Sequence, residues 1–247
     1  MESPGGRAGR QDVGGERIAS TLLRTRRGPL PLFSWSLTGE GPEGLLPVTM
    51  VWPTPLSVED YVRSGREVLV PRLVCPDCGE VMTFWGWYER YLRAHGLGSE
   101  CEVVVRRERC RPCARSHAVL PNFVTKGRLD SAEVIGPALE ETQEHGVRPT
   151  ARRTGVPHTT LRSWLRRFEA RAEMLAVVFS RFCVAWGDLA PRIAESGVPA
   201  AFAAARAAWA TARRRLGKGA GALWRFANSV VGAELLTTNT DLPSTAS

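Results

Sequence analysis

Four cysteines form two Cys-x-x-Cys pairs, Cys75 with Cys78 and Cys110 with Cys113, and 31 residues separate the pairs. Each pair is typical of a knuckle, a tight turn that directs two thiolates toward one point, and Gly79 relaxes the backbone just after the first pair. Two knuckles can surround one tetrahedral metal ion with four sulfurs and leave no coordination position open. The spacing therefore predicts a structural Zn²⁺ site whose ligands are these four cysteines.

Other cysteine chemistry fits the sequence less well. A redox Cys-x-x-Cys would occur once, after a strand of a βαβ unit, and disulfides would imply secretion. Arg26-Arg27 precedes an apolar run, but prolines interrupt that run and no small-residue cleavage site follows, so we expect a reducing cytoplasm. His117 and Cys101 remain open as competing ligands, since four cysteines already fill the coordination sphere. We interpret His95 as a solvated loop residue and Cys183 as a small buried hydrophobe.

The residues between the pairs suit a small β structure. Residues 81–91 are rich in aromatic side chains, residues 101–107 are rich in β-branched ones, and residues 96–99 between them have turn composition. Residues 118–121 then close what we interpret as a zinc ribbon. Ahead of it, residues 57–60 predict a helix N-terminus that Gly65 ends, and residues 67–70 predict a strand leading into the first pair.

Three helices are predicted after the second cysteine pair, and the last two resemble a known DNA-binding unit. Asp130 and Glu133 resemble a capping box that opens a helix ending at Gly146. Pro137 lies inside it, so this helix is expected either to kink or to start near Gly136. A short helix over residues 149–154, a turn at 155–157 and a longer helix over 158–171 follow. The apolar positions at helical spacing are Val156, Leu161, Trp164, Leu165 and Phe168. This is the pattern of a helix-turn-helix unit, whose second helix enters the major groove of DNA, and also of an ordinary helical hairpin.

The distribution of charge favours DNA. The chain carries a formal charge of +8 and a pI of about 9.7. Residues 148–171 contain seven arginines and one acid, Glu169, whereas the preceding helix carries four glutamates. A merely solvated face would mix the two signs more evenly, so the concentration of arginine on the two helices indicates a nucleic-acid-binding surface.

Individual roles follow from the expected orientation of the second helix. With Leu161 and Trp164 facing inward, the residues expected to face outward are His158, Thr159, Arg162, Ser163 and Arg166. We expect Arg162 and Arg166 to bind guanine edges in a bidentate manner. The phosphate contacts, which fix register without reading sequence, are expected from Arg152, Arg153 and Arg167.

The remaining chain is expected to be helical. Helices are predicted over residues 172–189, 199–216 and 220–236, with Trp186, Trp209 and Trp224 as anchors of the core or of a dimer contact. The predicted fold is α+β and mostly α: a small β zinc ribbon, then a helix-turn-helix domain, then an α-helical C-terminal region. The expected divisions are 1–49 (disordered or an over-long start), 50–73 (short helix and lead-in strand), 74–124 (ribbon), 130–171 (helix-turn-helix), 172–236 (C-terminal helices) and 237–247 (disordered tail).

The order of these modules resembles a known family. Cys75-Pro76-x-Cys78, the second cysteine pair, Ser116-His117-Ala118-Val119-Leu120-Pro121 and Ala151-Arg152-Arg153-Thr154-Gly155-Val156-Pro157-His158-Thr159-Thr160 resemble an actinobacterial family of small uncharacterised proteins. The same region is similar to the N-terminal zinc-ribbon and helix-turn-helix part of insertion-sequence transposases. The resemblance covers about residues 50–241 and implies recognition of mobile-element DNA.

A complete transposase is not expected, because such an enzyme assembles three carboxylates on a strand-rich core to hold two metal ions. Only about 75 residues follow Arg171, and they are helical in pattern and poor in acids. No His-Glu-x-x-His or deaminase signature is present either, so we expect no enzymatic activity.

Three hypotheses of function remain open at this point. The first is a non-catalytic, zinc-stabilised DNA-binding protein that recognises mobile-element or promoter DNA. The second is the DNA-targeting half of a split or truncated transposase, and the third is a protein-interaction module without specific DNA binding. The expected partners are double-stranded DNA, a transposase or recombinase, and a second copy of the chain joined through the C-terminal helices. No uninterrupted run of about 18 apolar residues occurs, so we expect no membrane span and a location on the nucleoid.

Overall fold

The computed structural model describes residues 50–94 and 100–237. The predictions for residues 1–49, for the hairpin tip with His95 and for residues 238–247 therefore lie outside the described residues. Within the described part, a small sheet is followed by a larger set of helices. The predicted class, α+β and mostly α, is confirmed.

Four strands and seven α-helices make up the described chain. The strands are β1 (Met50–Trp52), β2 (Thr83–Leu92), β3 (Cys101–Arg109) and β4 (Ser116–Pro121). The helices are α1 (Val58–Ser64), α2 (Ala132–His145), α3 (Val147–Thr154), α4 (His158–Glu169), α5 (Ala172–Ala185), α6 (Gly197–Leu216) and α7 (Leu223–Val230).

The strands form one sheet in the order β1-β4-β3-β2. The hairpin β2–β3 is antiparallel, β4 pairs antiparallel with β3, and β1 pairs parallel with β4. The aromatic and β-branched segments on either side of the predicted turn thus pair as expected. Thr83, which follows the first cysteine pair in sequence, lies opposite Arg109, which precedes the second cysteine pair. Both cysteine pairs therefore adjoin the same end of this hairpin.

The segment before the first cysteine pair is only partly as predicted. Ser57 Oγ accepts a hydrogen bond from the Asp60 N–H at 3.0 Å, and α1 ends at Gly65, as the capping pattern indicates. The predicted strand over residues 67–70 is wrong, because a 3₁₀ turn (Gly65–Glu67) takes its first residue and residues 68–70 join no sheet. Val68 and Val70 are nevertheless buried, so the alternation of polarity reflects packing without a partner strand.

The start of α2 differs from the predicted capping box. Ser131 precedes the helix and makes no side-chain cap bond, whereas the carboxylate of Asp130 lies 3.3 Å from the guanidinium of Arg93, the residue that follows β2. Asp130 therefore forms an ion pair with a residue distant in sequence and does not cap α2. The exposed Pro137 lies inside α2, which stays one continuous helix from Ala132 to His145.

The C-terminal helices pack back onto α2. Trp224 of α7 is buried against Gly136, where a Cβ atom would stand 2.0 Å from the indole ring, so only glycine allows this contact. Phe168 and Phe202 pack around the same indole. Trp224 is a core anchor as predicted, while Trp186 and Trp209 are half-buried.

Residues 122–128, which we expected to form a linker, are largely buried. Asn228 of α7 donates from Nδ2 to the carbonyl oxygens of Asn122 and Val124, each at 2.9 Å. The Arg225 guanidinium donates to Asn122 Oδ1 and to the Leu56 carbonyl at 2.8 Å, and it stacks on Phe123. The segment is a joint at which the last helix fastens the helical part to the sheet.

Candidate functional site

Each cysteine pair is held in a tight turn by its own backbone. The Cys75 N–H donates to the Glu80 carbonyl at 2.7 Å, and the Cys110 N–H donates to the Arg115 carbonyl at 2.9 Å. The residue after each pair has positive φ, 76° at Gly79 and 55° at Ala114. Glycine adopts this conformation freely, whereas alanine in the left-handed region is strained, so the second turn is the less relaxed one.

The turns bring the four predicted sulfurs together. Cys75 Sγ lies 3.9 Å from Cys113 Sγ, and Cys78 Sγ lies 3.5 Å from Cys110 Sγ. All four sulfurs lie within 4.8 Å of one another, and none of the six cysteines is in a disulfide. A tetrahedron with metal–sulfur bonds of about 2.3 Å has sulfur–sulfur edges of roughly 3.8 Å. The four residues therefore lie close enough to hold one metal ion.

The protonation of these thiols also favours a cation between them. The backbone N–H of Glu80 stabilises the thiolate of Cys78 and lowers its pKa. The neighbouring Cys78 sulfur, followed by burial, raises the pKa of Cys113. Negative charge on one sulfur thus opposes negative charge on the next, and a bound cation removes that opposition.

A charged pair and a histidine border the sulfurs. Arg115, after the second pair, donates to the carboxylate of Asp77 in the first pair at 3.0 Å, which joins the two knuckles directly. Sequence reasoning missed this contact, although the opposite charges were visible. His117 Nε2 lies 3.9 Å from Cys75 Sγ, and Cys75, Asp77 and His117 lie close enough together to form a second group that could hold a metal ion. His117 therefore borders the four sulfurs.

The two other cysteines lie elsewhere. Cys101 Sγ donates to the Leu92 carbonyl at the opposite end of the hairpin, where burial raises its pKa. Cys183 is buried in the helical core, as predicted, and burial likewise raises the pKa of its thiol. Neither belongs to the group of four sulfurs.

The second candidate site is the pair of helices α3 and α4. The turn between them begins at Gly155, which has φ 71° and donates its N–H to the Ala151 carbonyl at 3.0 Å. Leu161, Trp164 and Phe168 face the core and are buried, as their spacing predicts. Because these three positions fix the rotation of α4, they also fix which side chains point away from the core.

The residues predicted to contact DNA lie mainly on that outer side. Six of the eight are exposed and two are half-buried. The exposed ones are Arg152, Arg153, His158, Thr159, Arg162 and Arg166, and the half-buried ones are Ser163 and Arg167. The predicted residues thus lie on one helix pair, and their contacts with DNA stay a prediction.

Three arginines have partners inside the protein. Arg153 pairs with Glu141 of α2, and Arg167 Nε donates to Ser163 Oγ at 3.4 Å. Arg171, which we counted with the basic cluster, is only 6% exposed and donates to the Thr237 carbonyl at 2.6 Å. Arg171 is therefore an interior residue, because α4 ends at Glu169 and the chain turns inward there.

Comparison with known proteins places a match across both candidate sites. Residues 75–164 match a family described as a domain of unknown function (DUF6431). The matched segment begins at the first cysteine of the metal group and ends within α4. No curated protein and no solved structure matches the chain. In the described part of the chain, no helix has both the length and the apolarity that a membrane crossing requires.

Proposed function

We propose that this protein is a non-catalytic DNA-binding protein in which a structural Zn²⁺ ion braces a zinc ribbon and α4 enters the major groove of double-stranded DNA. Cys75, Cys78, Cys110 and Cys113 would hold the ion. Four thiolates leave no position for water or substrate, so the ion would stabilise the fold and perform no hydrolysis. Thiolate ligands in a tetrahedral set favour zinc or iron, and zinc is the ordinary structural choice.

The observation that carries the proposal is the outer face of α4. Arg162 and Arg166 lie one turn apart, are exposed, and have no ion pair among the described residues. By contrast, Arg153 of α3 and Arg206 of α6 are paired with glutamates of α2. Two unpaired guanidiniums on one face are suited to binding guanine O6 and N7 in the major groove.

The other predicted contacts supply position. Arg152 lies on α3 beside the turn, and Arg167 lies near the end of α4, where both could reach phosphates that flank the groove. Arg153 would have to leave Glu141 to do so. That exchange costs little, because exposed ion pairs contribute only about 0–1 kcal/mol.

The biological setting follows from the family resemblance. We place the protein on the nucleoid as an accessory factor for mobile-element DNA or as a regulator at promoters, with a transposase or recombinase as a partner. A second copy of the chain is also a candidate partner through the C-terminal helices. Val177 and Val184 of α5 support that contact, because both are exposed and lie seven residues, or two turns, apart on one face.

Selection of bound duplexes from a random pool by the zinc-loaded protein tests DNA binding. The expected result is an enriched motif of several base pairs, with affinity that falls steeply as salt rises because phosphate contacts release counterions. Absent or salt-insensitive binding would contradict the proposal and favour a protein-interaction module.

A matched pair of variants tests the assigned roles. Arg162→Ala should relax base preference at one position and cost about 1–3 kcal/mol of discrimination. Arg153→Ala should weaken all sequences alike and slightly. Identical specificity profiles for the two variants would overturn the assignment of base reading to Arg162.

A further inference from the structure

The edge strand β2 exposes a tryptophan at the end of the sheet that adjoins the cysteines. Trp85 is 54% exposed and lies at a β-bulge, since the pairing of β2 with β3 shifts between Phe84 and Gly86. Bulges redirect a side chain out of the regular alternation. The guanidinium carbon of Arg109 lies 4.4 Å from the centre of the indole ring. One side of the ring is thus covered by a cation, and a large part of the residue stays open to solvent.

The surroundings of Trp85 leave room for a flat ligand. Arg107 lies two residues before Arg109 on β3, so both project from the same face of the sheet. The residues that pair with Arg107 are Gly86 on β2 and Ala118 on β4, and those that pair with Arg109 are Thr83 on β2 and Ser116 on β4. None of these neighbours is bulky. We call the surface formed by Trp85, Arg107, Arg109 and Ser116 the Trp85 face.

The two faces of this end of the sheet differ in charge. On the opposite face, Arg106 is paired with the buried carboxylate of Glu108 at 2.5 Å, and it lies over the Phe84 ring. On the Trp85 face, Arg107 donates to the neutral Ser116 Oγ at 2.9 Å. No ion pair of Arg107 or Arg109 occurs within residues 50–94 and 100–237. Their charge is therefore left for an anionic ligand.

We infer that the Trp85 face binds single-stranded nucleic acid, with an unpaired base stacked on the open side of Trp85 and a neighbouring phosphate bound by Arg107. Base stacking on an aromatic ring beside arginine is the usual chemistry of single-strand recognition, and it tolerates any base because every base has a flat face. Duplex bases are already stacked on one another and cannot present that face. An acidic peptide would satisfy the arginines and leave the exposed indole without a role.

This inference stands apart from duplex recognition by α4. It uses none of the residues of the helix pair, and its ligand has no major groove. Arg162→Ala should therefore leave single-strand affinity unchanged. Relaxed base preference on duplexes in that variant, with single-strand affinity intact, would separate the two activities, and failure of either one would leave the other standing.

Fluorescence anisotropy with labelled dT12 and rU12, using the full zinc-loaded chain, tests the inference. Neither an indole nor a guanidinium in this arrangement reads the sugar, so both oligonucleotides are expected to bind. Trp85→Ala should weaken binding by roughly 5- to 150-fold, the range that one lost stacked base produces. A loss confined to one oligonucleotide would still support the face and would identify whether DNA or RNA is its ligand.

Tyr91→Ala is the matched control, because Tyr91 lies on the same strand and is 59% exposed at the other end. Its affinity should equal that of the unchanged protein. Trp85→Phe should retain most of the binding, since a ring remains. Metal content and circular dichroism of each variant show that it is folded.

Three results would overturn the inference. The first is equal affinity of Trp85→Ala and Tyr91→Ala for both oligonucleotides. The second is an equal loss by Trp85→Ala on a blunt 12-base-pair duplex, which would mean that the face contacts backbone alone. The third is displacement of dT12 by polyglutamate at matched charge, which would identify an acidic chain as the ligand.

Discussion

The described part of the chain buries its apolar side chains in a helical core, in a core of the sheet and in a small cluster at the cysteines, and these differ in how closely they are packed. The helical core, formed by α2 and α4–α7, is large and aromatic, with Phe168, Phe202 and Trp224 packed ring against ring. The core of the sheet is smaller and includes the edge-to-face pair of Tyr61 and Phe123.

Beside the cysteines the apolar packing is thinner still. Met50 and Met82 are the buried residues that cluster with Cys75 and Cys110. So little buried area cannot offset the entropy of ordering two tight turns, whereas an ion bound by four thiolates can. The comparison shows that the cysteine end of the sheet has far less apolar packing than the helical core, so a metal ion bound there, as proposed, would supply stability that packing does not. Arg225 and Asn228 join the helices to the sheet.

The largest expected effect comes from breaking the metal group. Cys78→Ser, or removal of the ion by a chelator, should abolish metal binding and unfold the cysteine end of the sheet. Structural zinc contributes about 10–16 kcal/mol of apparent folding free energy in small modules. Metal analysis with hydrogen exchange should show loss of protection over residues 75–121 while α5–α7 stay protected.

Cys183→Ser is the control for that experiment, because this buried thiol lies in the helical core outside the metal group. It should retain one metal ion per chain and lose only some helical stability. Full metal content and unchanged protection in Cys78→Ser would contradict the assignment of the four ligands.

Gly136→Ala should have the next largest effect on stability, and it should act on the helical core. The added Cβ would stand 2.0 Å from the Trp224 ring, so the indole or α2 must move. Overpacking of this kind costs about 1–3 kcal/mol, and the contact with a rigid ring favours the upper end. Urea unfolding monitored by helical circular dichroism measures the loss, while metal content should stay unchanged.

Its neighbour Pro137 is the matched control, since it is exposed in the same helix. Pro137→Ala restores an interior amide donor and should raise the stability of α2. If Gly136→Ala and Pro137→Ala changed the urea midpoint in the same direction, close approach of Trp224 would not explain the glycine.

Arg225→Met tests the joint between the cores. It keeps the apolar stem on Phe123 and removes the donors to Asn122 and to the Leu56 carbonyl, which should cost about 2–3 kcal/mol. We expect thermal unfolding to separate into two transitions. Arg206→Met, which breaks the exposed pair with Glu140, should change stability by less than about 1 kcal/mol and preserve one transition.

The smallest expected effect on stability comes from the residue that follows each cysteine pair. Ala114 has φ 55°, so Ala114→Gly should relieve strain and stabilise the metal-bound protein by about 0.5–1 kcal/mol. Gly79→Ala, at the equivalent position of the first knuckle, should destabilise it by a similar amount. Competition with a zinc chelator measures both, and equal metal affinities would show that these backbone positions do not limit the site.

The features predictable from sequence are those set by local spacing. The four cysteines could be predicted as one group because a Cys-x-x-Cys turn fixes the direction of its own sulfurs. The rotation of α4 could be predicted because Leu161, Trp164 and Phe168 recur at helical spacing. The α+β class followed from the same two periodicities.

The features that were missed are contacts between residues far apart in the chain. Asp130 is a residue type that often caps helices, but here it forms an ion pair with Arg93, which follows β2. Residues 122–128 are polar enough to suggest a linker, but Asn228 satisfies their carbonyl groups more than 100 residues later. The stack of Arg109 on Trp85 depends on a bulge, which no alternation pattern predicts.

The contact between Gly136 and Trp224 has a consequence for how the protein is made. The ribosome delivers α2, α3 and α4 before α7, so the position beside Gly136 has no indole to fill it until Trp224 has been translated. Nascent chains that stop before α7 therefore carry the arginine-bearing helix on an incomplete support. We therefore expect α4 to gain its full packing only after α7 has been translated and Trp224 has packed beside Gly136 and Phe168.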